Sequence, residues 1–247
     1  DLFPVDRGRS NVCIPGGEQA IADQPAAAEF YDCHYTRIKN AYSSCQVKSR
    51  NPAKEKMDDA QQQKLLQNTL QEANRMNDLC NNMLLSSQIE AGGYRMTNED
   101  INLSELVSNC MHDIETRNPQ RMFHSNVQQS LFVTGDAMLL QMAVNNLLDN
   151  AVKYSPKDNP VSIELIEQDK SLILKVRDEG AGIADTEKKK IFEKFYRLGN
   201  EATKRAKGTG LGLYLTSKIV ANHHGQLFVE NNLPSGSVFI IQLKQSI

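Results

Sequence analysis

The sequence predicts an α+β protein in which a long helix precedes a two-layer α/β sandwich. An uninterrupted helical period runs from Asp58 to Gly92, and beyond it short strand-like runs alternate with shorter helical patterns. Because the strand-like runs are spaced as hairpins with helices between them, we expect a mixed sheet covered by helices on one face.

The composition of the 247 residues argues against several classes of protein. A net charge of −2 with 23% charged residues offers no basic surface for nucleic acid. No apolar run reaches the roughly eighteen residues of a membrane span, and no signal peptide is visible. The five cysteines lack CxxC spacing, which favours neither a disulfide framework nor a zinc site. We therefore expect a reducing, cytoplasmic setting, with any membrane anchor of the parent protein outside this chain.

The chain divides into three predicted regions. Residues 1–57 show no helical or strand period and carry scattered proline and glycine, which is typical of an irregular leader. Residues 58–97 form a long helix that ends at Gly92–Gly93. Its apolar side chains, including Leu65 and Leu79, recur at threes, fours and sevens, so this helix requires a partner helix.

Residues 98–247 contain the elements of the predicted sandwich. Ile101–Leu106 reads as a short strand that enters a helix capped near Ser104, and Asp185–Lys194 as a further helix. Other helices begin at Gly135–Asp136 and at Leu211. The predicted strands are Phe123–Val127, Leu131–Thr134, Val161–Ile166, Leu172–Val176, Gly225–Glu230 and Ser237–Leu243.

The stretch Asn145–Tyr154 gives the first indication of function, because the helix predicted there has one apolar and one polar face. The apolar face comprises Leu140, Val144, Leu147 and Ala151. The polar face comprises Asn146, Asp149, Asn150 and Lys153, at i, i+3, i+4 and i+7. Carboxamide oxygens suit Mg²⁺ and a lysine suits phosphate, although an amphipathic helix with a solvated polar face has the same pattern.

Three later stretches favour the ligand-binding interpretation. They are Asp178–Ile183, which follows a strand, Phe192–Arg197, and the glycine-rich Gly208–Leu213, which opens an apolar helix. Together with Asn145–Tyr154, and in this order, they resemble the N, G1, F and G2 boxes of the sensor histidine kinases. Those kinases belong to an ATP-binding superfamily shared with gyrase, Hsp90 and MutL. The region from Glu72 to Gly92 is similar to the second helix of the kinase dimerisation domain.

The resemblance implies a Bergerat-type ATP-binding domain over residues 98–247. It also implies transfer of the γ-phosphoryl group of Mg-ATP to a histidine, and then to an aspartate in the receiver domain of a response regulator, in two-component signalling. The implied partners are ATP, the response regulator and a second copy of the chain that packs through the dimerisation helices.

The family's motifs also imply roles for individual residues. Asn150 would bind Mg²⁺, Asn146 would orient the metal or water, Asp178 would recognise adenine, and Arg197 would reach the γ-phosphate. We assign catalytic roles to Asn146 and Arg197. The implied nucleotide contacts are Asn146, Asn150, Lys153, Tyr154, Asp178, Gly180, Gly182, Ile183, Lys207, Gly208, Thr209, Gly210, Leu211, Gly212 and Leu213. Leu198–Lys207 would form a lid over the nucleotide.

Two other functions remain open at this point. A clamp ATPase of the gyrase or Hsp90 kind would need a glutamate base one turn before the metal-binding asparagine, where this chain has Asn146, and an amide is not a base. A nucleotide-binding dimerisation module without phosphotransfer is harder to exclude, because the family's phosphoacceptor motif, of the form His-Glu-Leu-Lys-Thr-Pro, is absent. His34 is the histidine that precedes the long helix, and Tyr35–Arg37 departs from the motif.

A shift of reading frame would explain the missing motif. The residues Thr36–Ser43 can be encoded by ACA CGA ATT AAA AAC GCC TAT AGC. Moving the frame by one nucleotide gives His-Glu-Leu-Lys-Thr-Pro-Ile-Ala. We therefore predict that residues 1–57 are translated out of frame and replace the first dimerisation helix, so that the chain as written does not autophosphorylate efficiently.

Overall fold

The computed structural model describes residues 59–198 and 209–245. The predicted leader, His34 and the frame-shift segment lie outside these residues, as do Lys207 and Gly208. Residues 59–74 belong to one structural unit, and the chain from Arg75 onwards belongs to a second. None of the helices in 59–198 and 209–245 combines the length and apolar character that crossing a bilayer requires.

Helix α1 spans Asp59–Glu90, close to the predicted long helix. Leu66 and Leu70 in its first half are 69% and 63% exposed, and Leu84 is 63% exposed. At its end the amide of Gly93 donates to the carbonyl of Gln88 at 2.8 Å. Such exposed leucines on a helix are typical of a surface that packs against another helix.

The second unit continues after α1 with mixed helices and strands. In chain order these are β1 (Glu99–Asn102), α2 (Leu103–Arg117), β2 (Phe123–Val127), β3 (Phe132–Gly135), α3 (Ala137–Tyr154), β4 (Val161–Gln168), β5 (Ser171–Asp178), α4 (Gly212–Asn222), β6 (Gln226–Asn231) and β7 (Ser237–Lys244). A five-stranded sheet has the order β2-β4-β5-β7-β6, and β1 pairs with β3 in a separate two-stranded sheet. Only the β2–β4 pair of the large sheet is parallel. The predicted α+β class is confirmed.

The core lies between the helices and one face of the large sheet. Alternate apolar residues of β4 and β5, such as Ile163 and Val176, are at most 2% exposed and pack with the apolar face of α3. Leu147 on that face is fully buried. Because the apolar stripe must face the sheet, the polar stripe of α3 is turned away from it.

The predicted helix at Asp185–Lys194 is wrong. This segment consists of turns and a single 3₁₀ turn at Lys190–Phe192. Its backbone hydrogen bonds include Glu187 to Ala184 and Glu193 to Lys190, both at the three-residue spacing of 3₁₀ structure. These tight turns bring Ile191 into the core, where it is 6% exposed.

The helix cap predicted near Ser104 lies two residues earlier, and Glu105 lies in the first turn of α2 as expected. Asn102 is the cap residue, and its Oδ1 accepts a hydrogen bond from the amide of Glu105 at 3.2 Å. Ser104 lies inside the helix, where its hydroxyl donates to the carbonyl of Gln128 at 2.7 Å and accepts from the amide of Leu131 at 3.1 Å. It therefore ties α2 to the β2–β3 turn.

A buried histidine joins the start of α3 to the end of α4. His223 is 6% exposed, its Nε2 accepts from the amide of Asp136 at 3.0 Å, and its Nδ1 donates to the carbonyl of Ile219 at 2.7 Å. Gly135 lies directly against the ring, because a Cβ at this position would come within 2.3 Å of His223 Cδ2. This contact therefore fixes the positions of α3 and α4, which border the functional site, relative to each other.

Replacement of this glycine should therefore destabilise the fold. We expect Gly135→Ala to lower the free energy of unfolding by about 1–3 kcal/mol, because the added methyl overpacks a buried contact. Urea unfolding measures the change. Gly93→Ala is the matched control, since its Cβ would meet the carbonyl of Gln88 at an ordinary contact distance of 3.7 Å. Equal stability of the two variants would contradict the role given to the His223 contact.

Candidate functional site

A cavity of about 330 Å³ opens beside the polar face of α3. Its walls come from α1, α3, the end of β5, β7, the segment 191–198 and the segment 209–213. The lining residues are Asn82, Asn146, Asp149, Asn150, Lys153, Tyr154, Asp178, Ala181, Gly182, Ile183, Ile191, Tyr196, Arg197, Leu198, Thr209, Gly210, Gly212, Leu213, Ser237 and Phe239. All four stretches singled out in the sequence contribute to this one cavity.

The polar face of α3 forms one side of the cavity. The Asn146 Nδ2 atom lies 3.5 Å from Oγ1 of the fully buried Thr216 on α4. A Cβ at Gly212 would lie 3.5 Å from Asn146 Oδ1, so this oxygen faces the start of α4. Asn150 is half-buried one turn further along α3. Two carboxamides therefore stand one above the other on the cavity wall.

The far end of α3 brings a cation and a phenol to the cavity. Lys153 Nζ donates to the Tyr154 hydroxyl at 3.0 Å and lies 4.5 Å from the centroid of the Tyr154 ring. Tyr154 is 39% exposed. The ammonium group is thus held at the rim, where it is accessible to an anionic ligand.

A carboxylate not given a role by the sequence analysis lies on the same face. Asp149 lines the cavity and pairs with Arg117 at the end of α2, with 3.1 Å between Oδ1 and Nη1. Both side chains are 53% exposed, so the pair contributes little to stability. It does offset one negative charge at the edge of the cavity.

Asp178 lines the cavity at the end of β5. It is 4% exposed and pairs in register with Ser237 on β7. Burial raises the pKa of Asp178, and hydrogen bonds from Gly180 and Ser237 offset this only in part. The amide of Gly180 donates to Asp178 Oδ1 at 2.8 Å, and Asn232 Nδ2 donates to the Asp178 carbonyl at 3.0 Å. A carboxylate fixed in this way is an acceptor with a set direction.

Gly180 itself does not line the cavity, in contrast to Gly182 and Ile183. It is buried, and a Cβ there would come within 2.5 Å of the Tyr154 carbonyl. Its contribution is therefore indirect, since it allows the Asp178 turn to pack against the end of α3.

The segment 209–213 crosses the cavity and leads into α4. Gly210 has a φ of +72°, and a Cβ there would come within 2.7 Å of the Phe195 backbone, so only glycine fits without strain. The amide of Phe195 donates to the Gly210 carbonyl at 3.0 Å. Thr209, Gly212 and Leu213 line the cavity as well. Leu211 is fully buried and packs in the interior instead.

The segment 191–198 supplies the remaining wall. Phe195 is 6% exposed and anchors this segment in the interior. Arg197 and Leu198 line the cavity immediately before the residues that the structure does not describe. The predicted lid therefore begins at the cavity wall, and its continuation lies outside the described residues.

Several lining residues were missed by sequence reasoning. Ser237 and Phe239 lie on β7, far along the chain, and only the β5–β7 register brings them to Asp178. Asn82 lies on α1, where a polar residue on a long helix gives no sign of a ligand contact. Asp149 was placed on the correct face by its spacing.

Comparisons with known proteins agree with this geometry. Residues 135–247 match the family model described as histidine kinase-, DNA gyrase B- and HSP90-like ATPase. The chain is 34% identical over 176 residues to the sensor-like histidine kinase SenX3 of Mycobacterium tuberculosis, covering 70% of this chain and 42% of the relative. It is 30% identical over 179 residues to the sensor histidine kinase WalK of Bacillus subtilis, covering 71% and 29%. The chain thus spans less than half the length of these curated relatives.

Solved structures show the same relationship. The mycobacterial sensor histidine kinase MprB is 30% identical with a TM-score of 0.54, and the match covers 60% of this chain and 97% of that one. The Acinetobacter baumannii histidine kinase AdeS, at 20% identity and a TM-score of 0.65, shares the fold over 87% of this chain and 96% of its own. With its four motifs gathered around one cavity, the chain belongs to the sensor histidine kinases and contains their ATP-binding catalytic domain.

Proposed function

We propose that this domain binds Mg-ATP in the cavity beside α3 and that the parent protein transfers the γ-phosphoryl group to a histidine. The observation that carries the proposal is that five groups line one cavity. They are a buried carboxylate that can accept a hydrogen bond from adenine, two carboxamides one turn apart, a lysine and the glycine-rich start of a helix. These groups match the successive parts of a nucleotide.

The adenine end is assigned to Asp178. A buried carboxylate whose Oδ1 already accepts from Gly180 has acceptor capacity left for the exocyclic amine of adenine. A base that lacks this amine would leave the buried carboxylate without that hydrogen bond. Such a site therefore discriminates against other bases. Ile183 and Phe239 offer apolar surface to the base from the same end of the cavity.

The donor set on α3 suits a hard divalent cation. Mg²⁺ prefers oxygen ligands and is bound by few protein groups together with waters and phosphate oxygens. Asn150 would supply one oxygen and Asn146 would orient the metal or a water through its own. When bound, Mg²⁺ neutralises the phosphates and fixes their orientation.

The phosphate groups are assigned to the side of the cavity formed by Lys153 and the start of α4. The first amides of α4, from Gly212 onward, have no partner within their own helix and favour an anion. Lys153 would add a positive charge from the rim, and Arg197 one from the segment that leads into the lid. Residues 207 and 208 would extend the phosphate contacts.

Phosphotransfer in this scheme depends mainly on positioning. The nitrogen of an acceptor imidazole bonds to the γ-phosphorus while the bond to the bridging oxygen breaks and ADP leaves. Asn146 stands where a hydrolytic ATPase of the clamp type would need a carboxylate base, which favours transfer to a histidine over direct hydrolysis. The exposed leucines of α1 favour a homodimer, and a response regulator would then receive the phosphoryl group.

The first test of this proposal is nucleotide binding. Asn150→Asp and Asp178→Asn should each weaken binding of a fluorescent ATP analogue about tenfold or more, because each removes or alters a charged or metal-linked contact. Gly210→Ala should do the same, because its methyl would strike the Phe195 backbone.

Asp169→Asn is the matched control, since Asp169 is exposed in the β4–β5 turn with a φ of +51° that asparagine also tolerates. It should bind like the unaltered chain. Unchanged affinity in all three site variants would remove the basis for the site assignment.

The second test is autophosphorylation of the chain as written. Little acid-labile, base-stable label from γ-labelled ATP is expected, because the phosphoacceptor motif is absent from the sequence. Robust labelling that disappears on His34→Gln would overturn this expectation and identify His34 as the acceptor. Restoring the His-Glu-Leu-Lys-Thr-Pro frame should restore labelling, and failure to do so would contradict the frame-shift proposal.

A further inference from the structure

The last two turns of α1 carry a polar stripe next to the cavity. The stripe consists of Asn82, Ser86 and Glu90, which share one face at i, i+4 and i+8. Beside it, Leu85 and Ile89 pack against α3 and α4 in a small apolar cluster with Leu139 and Leu215. The cluster fixes the rotation of α1, and the stripe therefore points in a defined direction.

Glu90 holds this end of α1 against two walls of the cavity. Its Oε1 accepts from the Tyr214 hydroxyl at 2.6 Å, from Lys194 Nζ at 3.1 Å and from the fully buried Ser86 at 2.7 Å. Lys194 also lies 5.6 Å from the centroid of the Tyr214 ring. Burial opposes ionisation, but the hydrogen bonds from Tyr214, Ser86 and Lys194 outweigh it and lower the pKa of Glu90 to about 2. The carboxylate is therefore charged at neutral pH.

The partners of Glu90 do not line the cavity themselves, but they lie on the two segments that flank its proposed phosphate side. Lys194 precedes Arg197 by three residues, and Tyr214 follows Gly212 by two. Asp178 and Ser237, which define the adenine end, lie on the sheet. Asn82 stands two helical turns before Glu90, about 12 Å along the axis, and lines the cavity. Glu90 thus joins α1 to the segments that carry Arg197 and Gly212, on the side of the cavity to which the phosphates are assigned.

We propose that α1 is a wall of the nucleotide site, in which Asn82 donates a hydrogen bond to the terminal phosphate of ATP and Glu90 is the positioning residue that holds Asn82 there. The inference rests on the proposed nucleotide function of the cavity. A carboxamide suits this role, because it offers two donors without adding a charge that would also attract other anions. ADP lacks the terminal phosphate and does not reach Asn82, so α1 senses which nucleotide is bound.

The experiment is calorimetric titration of the full chain with Mg²⁺ and either ADP or a non-hydrolysable ATP analogue. Asn82→Ala should weaken the ATP analogue about tenfold, as expected for loss of a hydrogen bond to a charged group, and change ADP affinity less than about twofold. Asn81→Ala, the same substitution at an exposed neighbour, should change neither affinity.

Each outcome has a separate meaning. No effect of Asn82→Ala, or equal loss for both nucleotides, overturns the terminal-phosphate contact while the proposed function stands. Failure of the unaltered chain to bind either nucleotide would instead refute the proposed function itself.

The role of Glu90 is tested by a double-mutant cycle. Glu90→Ala should also reduce the ratio of ATP-analogue to ADP affinity, and adding Asn82→Ala should reduce that ratio little further, because both changes remove one contact. Glu90→Gln, which keeps an acceptor for Tyr214, should restore part of the ratio. A general loss of stability would lower both affinities and leave the ratio unchanged, and independent effects of the two substitutions would overturn the positioning role.

Discussion

The packing of α3 against the five-stranded sheet is the constraint on which the site depends. Leu140, Val144, Leu147 and Ala151 are at most 2% exposed, so the helix has no freedom to rotate about its axis. The burial of each of these side chains stabilises the folded state by roughly 1–3 kcal/mol. A rotation of one residue would move Asn146 and Asn150 out of the cavity and bury polar groups against the sheet, at considerable cost. The apolar face therefore fixes where the chemistry is located.

Three further contacts convert this fixed helix into a site with two ends. His223 registers the end of α4 to the start of α3, and the β5–β7 register places Ser237 beside Asp178. Gly210 allows the segment before α4 to pass against Phe195. Glu90 holds α1 beside the site by accepting hydrogen bonds from Tyr214 and Lys194. Groups distant in sequence are thereby held around one ligand-sized space before any ligand arrives, which lowers the entropic cost of binding.

Much of this arrangement could be predicted from the sequence, because local periodicity carries it. The two faces of α3, the β4–β5 and β6–β7 hairpins and the end of α1 near Gly92 all follow from spacing and turn residues. The errors arose where tertiary contacts override local preference. Residues 185–194 contain good helix formers, yet they form turns because Ile191 must reach the core. Asn82 and Ser237 join the site only through long-range packing, which no local pattern reports.

The central claim is that one nucleotide spans the cavity from Asp178 to the polar face of α3, and a crystal structure of the chain with Mg²⁺ and a non-hydrolysable ATP analogue tests it most directly. The account predicts the adenine amino group within hydrogen-bonding distance of Asp178 and the metal bound by Oδ1 of Asn150. It also predicts the phosphates beside the start of α4. A nucleotide bound elsewhere, or bound here with its base at Asn150 and its phosphates at Asp178, would contradict the account.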